Sequence, residues 1–324
     1  MIRIAILDDY QNASLEMADW SPLAGRAEIT VFNDHLSEFD DVVARLLPFD
    51  VVCVMRERTP LPRSVIERLP RLKLIASTGS RNAAIDVEAA AERGIVVAHT
   101  GYDARPTIEM TWALILASAR QVALENAHLR AGGWQLTMGD SLHGKTLGVL
   151  GLGNIGSEVA RIGLAFGMEV IAWSQNLTAD KAQTCGARLV SKEELFRSAD
   201  ILTVHLVLSQ RTKGLVGAAE LQAMKPSARL INTSRGPIVD EPALIEVLRE
   251  RRIAGAALDV FDIEPLPADH PFRSLGNVLS TPHIGYVARD LYRTFYGDTV
   301  KNITRWLEGR YESDDSGREH GTGA

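Results

Sequence analysis

The sequence contains only two cysteines, and they stand too far apart to organise the fold. Neither Cys53 nor Cys185 belongs to a metal-binding spacing. We interpret them as separate thiols rather than as a disulfide or a zinc pair, and we expect no metal site. Free thiols suit a reducing compartment such as the cytoplasm.

Long basic runs and long apolar runs are also missing. The net charge of −6 argues against nucleic acid or a membrane surface as a partner. No uncharged apolar run approaches the ~20 residues that a transmembrane helix needs. The apolar N-terminal segment is interrupted by Asp8 and Asp9 too early for a signal peptide. We therefore expect a soluble, cytoplasmic protein without nucleic-acid or membrane partners.

The chain does contain a regular alternation of short β-rich runs with helical patterns. In the N-terminal part these runs are residues 2–7, 27–32, 50–55, 72–77 and 95–99. A second alternation of the same kind fills residues 145–283. Alternation of this kind predicts an α/β fold with parallel sheets and crossover helices, here in two doubly wound domains.

Two further segments have helical periodicity. Residues 105–133 predict one long helical stretch, with Pro106 near its start and Gly132 and Gly133 at its end. Because its middle is apolar nearly all round, we expect it to be buried. A last helix is predicted over 289–309, and the polar tail 313–324 is expected to be disordered.

A glycine motif begins the second alternation. Gly151, Gly153 and Gly156 form G-x-G-x-x-G between an apolar strand and an amphipathic helix. In a dinucleotide site the first glycine permits a tight turn, the second admits the pyrophosphate and the third allows helix–strand packing. The amides of Asn154 and Ile155 would then face the phosphates at the positive end of the helix.

The next strand leaves the choice between NAD and NADP open. A Rossmann site usually places an acid there for the ribose of NAD, or an arginine nearby for the phosphate of NADP. Here the strand ends in Ser174, Gln175 and Asn176, which are neutral. Ser174 is our candidate for a ribose contact.

Polar residues follow three late strands. Arg235 lies in "NTSRGP", Asp259 and Glu264 lie in "LDVFDIEPLP", and His283 lies in "TPHIGY". Ligands of doubly wound sheets bind at the carboxyl ends of the strands. These residues are therefore candidates for a reacting site near the glycine motif.

These segments resemble the D-isomer-specific 2-hydroxyacid dehydrogenase family over nearly the whole chain. The resemblance lies in residues 78–100, "GKTLGVLGLGNIG", "INTSRGPIVDEPAL", "ALDVFDIEPLP" and "TPHIGY", in this order. It implies a Rossmann cofactor domain (residues 105–287) inserted into a flavodoxin-like substrate domain (residues 1–104 and 288–312). It also implies NAD(P)-dependent reduction of a 2-keto acid to the D-2-hydroxy acid, and the reverse.

By the same resemblance, the catalytic residues are Arg235, Glu264 and His283. Arginine can bind the substrate carboxylate and polarise the adjacent carbonyl. Histidine can exchange a proton with the substrate oxygen near neutral pH, and a neighbouring carboxylate favours the imidazolium and orients the ring.

The resemblance implies further contacts. Thr78 and Gly79 match the loop that holds the substrate carboxylate. The remaining candidate cofactor residues are Thr107, Val207, Thr233, Asp259 and Gly285. Val207 stands where relatives have proline, and we expect a local change in cofactor packing there without loss of binding.

Residues 55–62 resemble the loop that shapes substrate choice in the family, and phosphoglycerate dehydrogenases often carry a small polar residue where Glu57 stands. A carboxylate at this position would repel a phosphate, so the resemblance favours a small, non-phosphorylated keto acid such as glyoxylate or hydroxypyruvate. Many phosphoglycerate dehydrogenases also carry a regulatory domain, and the sequence ends without one, which again favours a non-phosphorylated substrate. Phosphoglycerate dehydrogenase activity and a corepressor-like dinucleotide sensor are the alternatives. Formate dehydrogenases of this lineage are a third option, but they typically carry glutamine where Glu264 stands. Glu264 therefore favours hydroxyacid chemistry. The helical stretch and residues 132–144 resemble a dimerisation region, so we expect a homodimer.

Overall fold

The computed structural model describes residues 1–310, so the predicted tail lies outside the described residues. The chain forms two compact units. The N-terminal unit comprises Met1–Asp103 and the segment that begins at Val287, and the inserted unit is Ala104–Tyr286.

The N-terminal unit is built on a five-stranded parallel sheet with the order β2-β1-β3-β4-β5. This order is that of flavodoxin-like folds, as the family resemblance implies. Its elements are β1 (Ile2–Ile6), β2 (Ala27–Val31), α1 (Phe39–Leu46), β3 (Val51–Val54), α2 (Arg63–Ile66), β4 (Leu74–Ser77), α3 (Val87–Glu92) and β5 (Val96–His99). The last helix of the described chain, which we number α11 (Arg289–Leu307), also belongs to this unit.

The inserted unit is built on a seven-stranded parallel sheet. Its elements are α4 (Arg105–Ala119), α5 (Val122–Arg130), β6 (Thr146–Leu150), α6 (Asn154–Ala165), β7 (Glu169–Trp173), α7 (Ala179–Thr184), β8 (Arg188–Leu189), α8 (Lys192–Ser198), β9 (Ile201–Val204), α9 (Ala218–Ala223), β10 (Arg229–Asn232), α10 (Glu241–Arg249), β11 (Gly255–Leu258) and β12 (Val278–Ser280). The strand order is β12-β11-β10-β9-β6-β7-β8, a Rossmann arrangement with one additional strand.

The strands of this sheet are apolar on both faces because helices cover both. Leu150, Leu202 and Leu230 pack in the core on one face. Val149 and Ile231 pack in the core on the other. A sheet buried on both sides is typical of parallel α/β folds, and it leaves the strand ends as the places for polar chemistry.

The prediction of one helical stretch over 105–133 is wrong at its middle. Helix α4 ends at Ala119, and Gln121 takes a left-handed conformation with φ of 55° before α5 begins. The amide of Asp140 donates to the Ala119 carbonyl at 2.8 Å, so the returning chain uses a carbonyl at the end of α4. Helix α4 is largely buried as expected, but α5 buries no residue.

Candidate active site

Three neighbouring strands of the inserted unit bring the predicted polar residues to one edge of the sheet. Strands β10, β11 and β12 are adjacent and parallel, so their carboxyl ends lie side by side. Arg235 follows β10, Asp259 and Glu264 follow β11, and His283 follows β12. The alternation in the sequence therefore places these loops together, as a doubly wound sheet requires.

His283 and Glu264 form a close pair. The Nδ1 atom of His283 lies 2.5 Å from Glu264 Oε2. The other oxygen of the same carboxylate, Oε1, accepts the amide of Phe261 at 2.9 Å. Since an ionised carboxylate only accepts hydrogen bonds, Nδ1 carries the hydrogen and donates. The Nε2 atom of the ring is then the nitrogen that can exchange a proton with a ligand.

The backbone around His283 is held in an unusual conformation. His283 has φ of 51°, in the left-handed region that few residues other than glycine occupy. Such conformations persist only where the surrounding structure fixes them, and they cluster at functional sites. His283 packs edge-on against Tyr286, with ring centroids 5.5 Å apart.

Asp259 provides the fixed support for this turn. Its carboxylate accepts the Thr281 hydroxyl at 2.6 Å and the amides of Ile284 and Gly285 at 2.9 and 2.7 Å. The side chain is buried, with 1% exposure. Burial raises the pKa of Asp259, and the hydrogen bonds from Thr281 and Ile284 oppose that rise. Asp259 thus joins the end of β11 to both sides of His283.

Arg235 lies half-buried in the loop after β10. Its Nη1 donates to the Ser234 carbonyl at 2.8 Å, and the Asn232 side chain donates to the Arg235 carbonyl at 3.0 Å. The next residue, Gly236, packs directly against the loop that carries Glu264. A Cβ atom at Gly236 would stand 2.1 Å from the Phe261 carbonyl carbon. Only a glycine lets these two backbones come so close.

The glycine motif has the local geometry that a dinucleotide needs. Gly151 has φ of 100°, and a Cβ atom at Gly156 would lie 2.0 Å from the Gly151 carbonyl oxygen. Gly153 is the N-cap of α6, and a Cβ atom there would meet nothing within 4 Å. Asn154 and Ile155 follow as the first helical residues, whose amides lie beyond intrahelical pairing. The open backbone at a helix N-terminus fits a pyrophosphate.

The other predicted cofactor residues lie at or near the same edge of the sheet. Ser174 follows β7 directly, and the amide of Gly151 donates to the neighbouring Trp173 carbonyl at 2.9 Å. The hydroxyl of Thr233 lies 2.8 Å from that of Thr111. Thr107 Cγ2 would be 3.8 Å from a Cβ atom at Gly285. Val207 is 84% exposed in the loop after β9.

Thr78 and Gly79 follow β4 in the N-terminal unit. The amide of Thr78 donates to the Val54 carbonyl at 3.1 Å, and the amide of Gly79 donates to the Thr100 hydroxyl at 2.8 Å. The guanidinium of Arg56 fills the space beside Gly79, where a Cβ atom would meet Nη1 at 1.6 Å. Both amides are thus engaged within the protein, and the predicted grip on a substrate carboxylate stays a prediction.

Two supporting roles could not be derived from the sequence. The sequence marks Asp259 as a strand-end candidate and a cofactor contact, and gives no sign that it anchors the His283 turn. Gly236 is visible in "SRGP", but nothing nearby in sequence indicates the backbone that it must accommodate. Such contacts join segments that lie far apart along the chain.

Known proteins resemble this chain in sequence and in fold. A family model described as "D-isomer specific 2-hydroxyacid dehydrogenase, NAD binding domain" matches residues 112–285. The glyoxylate reductase of Aeropyrum pernix is 41% identical over 256 residues, which are 76% of this chain and 76% of that protein.

Two further similar proteins are named for phosphoglycerate instead of glyoxylate. The D-3-phosphoglycerate dehydrogenase of Methanocaldococcus jannaschii is 37% identical over 312 residues. The match covers 94% of this chain, which spans 58% of the length of that protein. The crystal structure of a phosphoglycerate oxidoreductase from Vibrio cholerae O395 superposes with a TM-score of 0.90 at 37% identity. That superposition covers 95% of this chain and 100% of the other.

Among residues 1–310, no helix is both long enough and apolar enough to cross a membrane.

Proposed function

Because this chain belongs to the D-isomer-specific 2-hydroxyacid dehydrogenase family and is an NAD(P)-dependent oxidoreductase, we propose that it reduces a small, non-phosphorylated 2-keto acid to the D-2-hydroxy acid. Glyoxylate and hydroxypyruvate are the proposed substrates. The single observation that carries the catalytic assignment is the Glu264–His283 pair at the strand edge. The relatives that this chain matches are named as a reductase and a dehydrogenase, which favours an enzyme over the dinucleotide-sensor alternative.

The catalytic roles follow from the chemistry of the side chains. His283 gives a proton from Nε2 to the carbonyl oxygen of the substrate, and Glu264 keeps the ring oriented through Nδ1. Arg235 binds the substrate carboxylate and stabilises the negative charge that develops on the oxygen. When bound, NAD(P)H supplies the hydride. In the reverse direction the same imidazole accepts the proton of the hydroxyl.

The cofactor is assigned to the glycine turn and the strand-end residues around it. The open backbone at Gly153 supports this assignment, since it leaves room for the pyrophosphate. The assigned residues are Gly151, Gly153, Asn154, Ile155, Gly156, Ser174, Thr107, Val207, Thr233, Asp259 and Gly285. In the N-terminal unit, Thr78 and Gly79 are assigned to the substrate carboxylate.

The test of the catalytic roles is substitution of His283 and Arg235 by alanine. Loss of general acid catalysis costs about 10²–10⁴-fold in rate, and loss of a group that stabilises a developing oxyanion costs about 10²–10³-fold. We expect kcat with every accepted keto acid to fall by that order in both variants, while NAD(P)H still binds, as measured by fluorescence titration. Arg249→Ala, at an exposed site on α10, is the matched control. Wild-type rates in either test variant would overturn the roles.

Phosphoglycerate dehydrogenase activity is the second candidate, favoured by the similarity to enzymes of that name. The repulsion expected from Glu57 is moderated in the structure, because Glu57 Oε2 lies 3.6 Å from Arg56 Nε. Values of kcat/KM for glyoxylate, hydroxypyruvate, pyruvate and 3-phosphohydroxypyruvate, each with NADH and NADPH, separate the candidates and establish the coenzyme. A preference for the phosphorylated acid would overturn our choice of substrate.

We also propose a homodimer that works in the cytoplasm. Helix α5 buries no residue within the chain, and the arm beside it exposes Trp134 by 75% and Met138 by 98%. An exposed apolar surface of this kind is typical of a protein interface. Light scattering at micromolar concentration should give the mass of two chains, and a monomeric mass would contradict the proposal.

The cytoplasmic location is supported by the two free thiols, and cell fractionation tests it.

A further inference from the structure

The loop that carries Glu264 is held at its centre by a side chain from another element. The amide of Asp262 donates to Glu241 Oε2 at 3.3 Å. This amide lies between Phe261, whose own amide binds Glu264 Oε1, and Glu264 itself. The Glu241 contact therefore acts on the stretch of backbone that determines where the Glu264 carboxylate points.

Glu241 is itself fixed on both of its oxygens. It is the first residue of α10, and its Oε1 lies 3.0 Å from His270 Nε2. The Nδ1 atom of His270 accepts the amide of Phe272 at 3.3 Å, so the hydrogen of the neutral ring is on Nε2. Glu241 thus accepts one hydrogen bond from His270 and another from Asp262. Both side chains are well covered, with 13% exposure for His270 and 17% for Glu241.

The far end of the loop is tied to the same place. His270 caps a short 3₁₀ turn, Pro271–Arg273, whose buried Phe272 packs 6.2 Å from the Phe261 ring. Arg273 donates to the carbonyls of Leu266 and Pro267 at 2.7 and 2.8 Å. Both flanks of Glu264 are therefore attached to one small structure.

Several carboxylates lie close together around this structure, so a hydrogen-bond donor to Glu241 matters here. Burial raises the pKa of Asp262, and the nearby carboxylates of Glu241 and Asp240 raise it further, while Lys213 and His270 oppose the rise. The hydrogen bond from His270 gives Glu241 a donor partner, although carboxylates lie nearby. It keeps one Glu241 oxygen occupied, so that the other stays directed at Asp262.

We propose that Glu241 and His270 are positioning residues, which hold the loop so that Glu264 meets His283 Nδ1. The inference rests on the proposed function, because it acts through the Glu264–His283 pair. Neither residue touches the reacting atoms. Their effect is on the orientation of the catalytic imidazole and on the pH at which it donates a proton.

The first test is Glu241→Gln, with Glu246→Gln, at an exposed site on the same helix, as control. Glutamine has one acceptor oxygen, so it can serve Asp262 or His270 but not both. We expect kcat to fall about tenfold, because small misplacements of catalytic groups carry costs of up to about a hundredfold. NAD(P)H affinity should stay within about twofold of wild type, a margin that displacement of the glycine turn would exceed. The rate should begin to fall at lower pH, as in Glu264→Gln, since both changes weaken support for the imidazolium. Control-like behaviour would overturn the proposal.

A double variant separates this route from a general loss of structure. In a Glu264→Gln background, Glu241→Gln should change kcat by less than about twofold, because interaction through a shared partner makes effects non-additive. A further tenfold loss would show that Glu241 acts elsewhere and would overturn the inference. If Glu264→Gln itself retains wild-type turnover and pH dependence, the proposed function fails instead.

Substitutions of His270 provide a second test, which can be carried out even if the Glu241 variant folds poorly. Glutamine at position 270 can still donate a hydrogen bond to Glu241, whereas alanine cannot. We expect His270→Ala to lower kcat several-fold and shift the pH dependence in the same direction, and His270→Gln to restore both. Equal activity in the two variants would overturn the role of the donor.

Discussion

Two parts of the same sheet edge are constructed in opposite ways. The turn after β6 depends on glycines, which have no side chain. A Cβ atom at Gly151 or Gly156 would clash with the protein, and Gly153 leaves open space beside the backbone. The loops after β10, β11 and β12 are made by adding side-chain contacts, with Asp259 and Glu264 each binding more than one partner.

The difference follows from what each part has to hold. A pyrophosphate is a large anion that backbone amides and a helix N-terminus can bind, so close approach matters more than side-chain identity. A proton donor must point at one atom, so its ring needs support from several directions. Substitutions that add atoms should therefore damage the first part, and in the second part they should do so at Gly236, where two backbones come close. Substitutions that remove one charge should damage the second.

Among the supporting contacts of this edge, the strongest effect is expected from Asp259→Asn. The amide nitrogen of asparagine would face one of the three donors that the carboxylate now accepts, releasing one side of the His283 turn. We expect kcat to fall about 10²-fold, the cost of misplacing a catalytic group. Stability should fall by about 2–3 kcal/mol, since hydrogen bonds to charged groups contribute about 1.5–3 kcal/mol. Steady-state kinetics and urea unfolding measure the two effects, and an unchanged kcat would contradict the anchor role.

A smaller effect is expected from Gly236→Ala. The new methyl group would stand 2.1 Å from the Phe261 carbonyl carbon, so the loop carrying Glu264 must move. We expect kcat to fall about ten- to hundredfold, while NAD(P)H binding stays unchanged because the glycine turn is not touched. Kinetics and fluorescence titration check this. Equal losses in turnover and cofactor binding would mean that the sheet edge had shifted as a whole.

The contrast also explains what the sequence could predict. The glycine turn depends on residues close together in the chain, next to a strand and a helix, and such local patterns can be read directly. The strand-end location of Arg235, Glu264 and His283 follows from the alternation and from the rule for ligands of doubly wound sheets.

The supports of the loops could not be predicted in this way. Asp259 binds the amides of Ile284 and Gly285, 25 and 26 positions further on, and no local pattern marks such a pair. The break between α4 and α5 has the same origin. No glycine or proline lies near Gln121 in the sequence to mark a helix end. The helix ends where the amide of Asp140, from the returning chain, donates to the Ala119 carbonyl. Long-range contacts decided both.

Within the glycine turn, two alanine substitutions separate room for a ligand from room for the protein. Gly156→Ala places a methyl group 2.0 Å from the Gly151 carbonyl oxygen, and we expect a loss of about 2–3 kcal/mol in stability. Gly153→Ala meets no protein atom within 4 Å, so stability should stay within about 0.5 kcal/mol. NAD(P)H affinity should nevertheless fall about tenfold, since the backbone approach is blocked. Unchanged affinity in Gly153→Ala would place the pyrophosphate elsewhere.

The smallest effect concerns His205, which links the two parts of the edge by following β9, between β6 and β10. Its Nε2 lies 2.8 Å from the Thr203 hydroxyl, and burial lowers its pKa to about 3. An unfolded histidine titrates near 6.5, so the unfolded chain binds the extra proton between about pH 6.5 and 3. The stability from keeping this ring neutral is complete above about 6.5 and is lost as the pH falls towards 3. Between pH 6.5 and 5 the loss is about 2 kcal/mol. His205→Gln should remove that part of the pH dependence in urea unfolding, whereas His143→Gln, at an exposed site, should keep it. If both variants lose stability equally with falling pH, the His205 imidazole is not the source, and its surroundings are less dry than the low pKa implies.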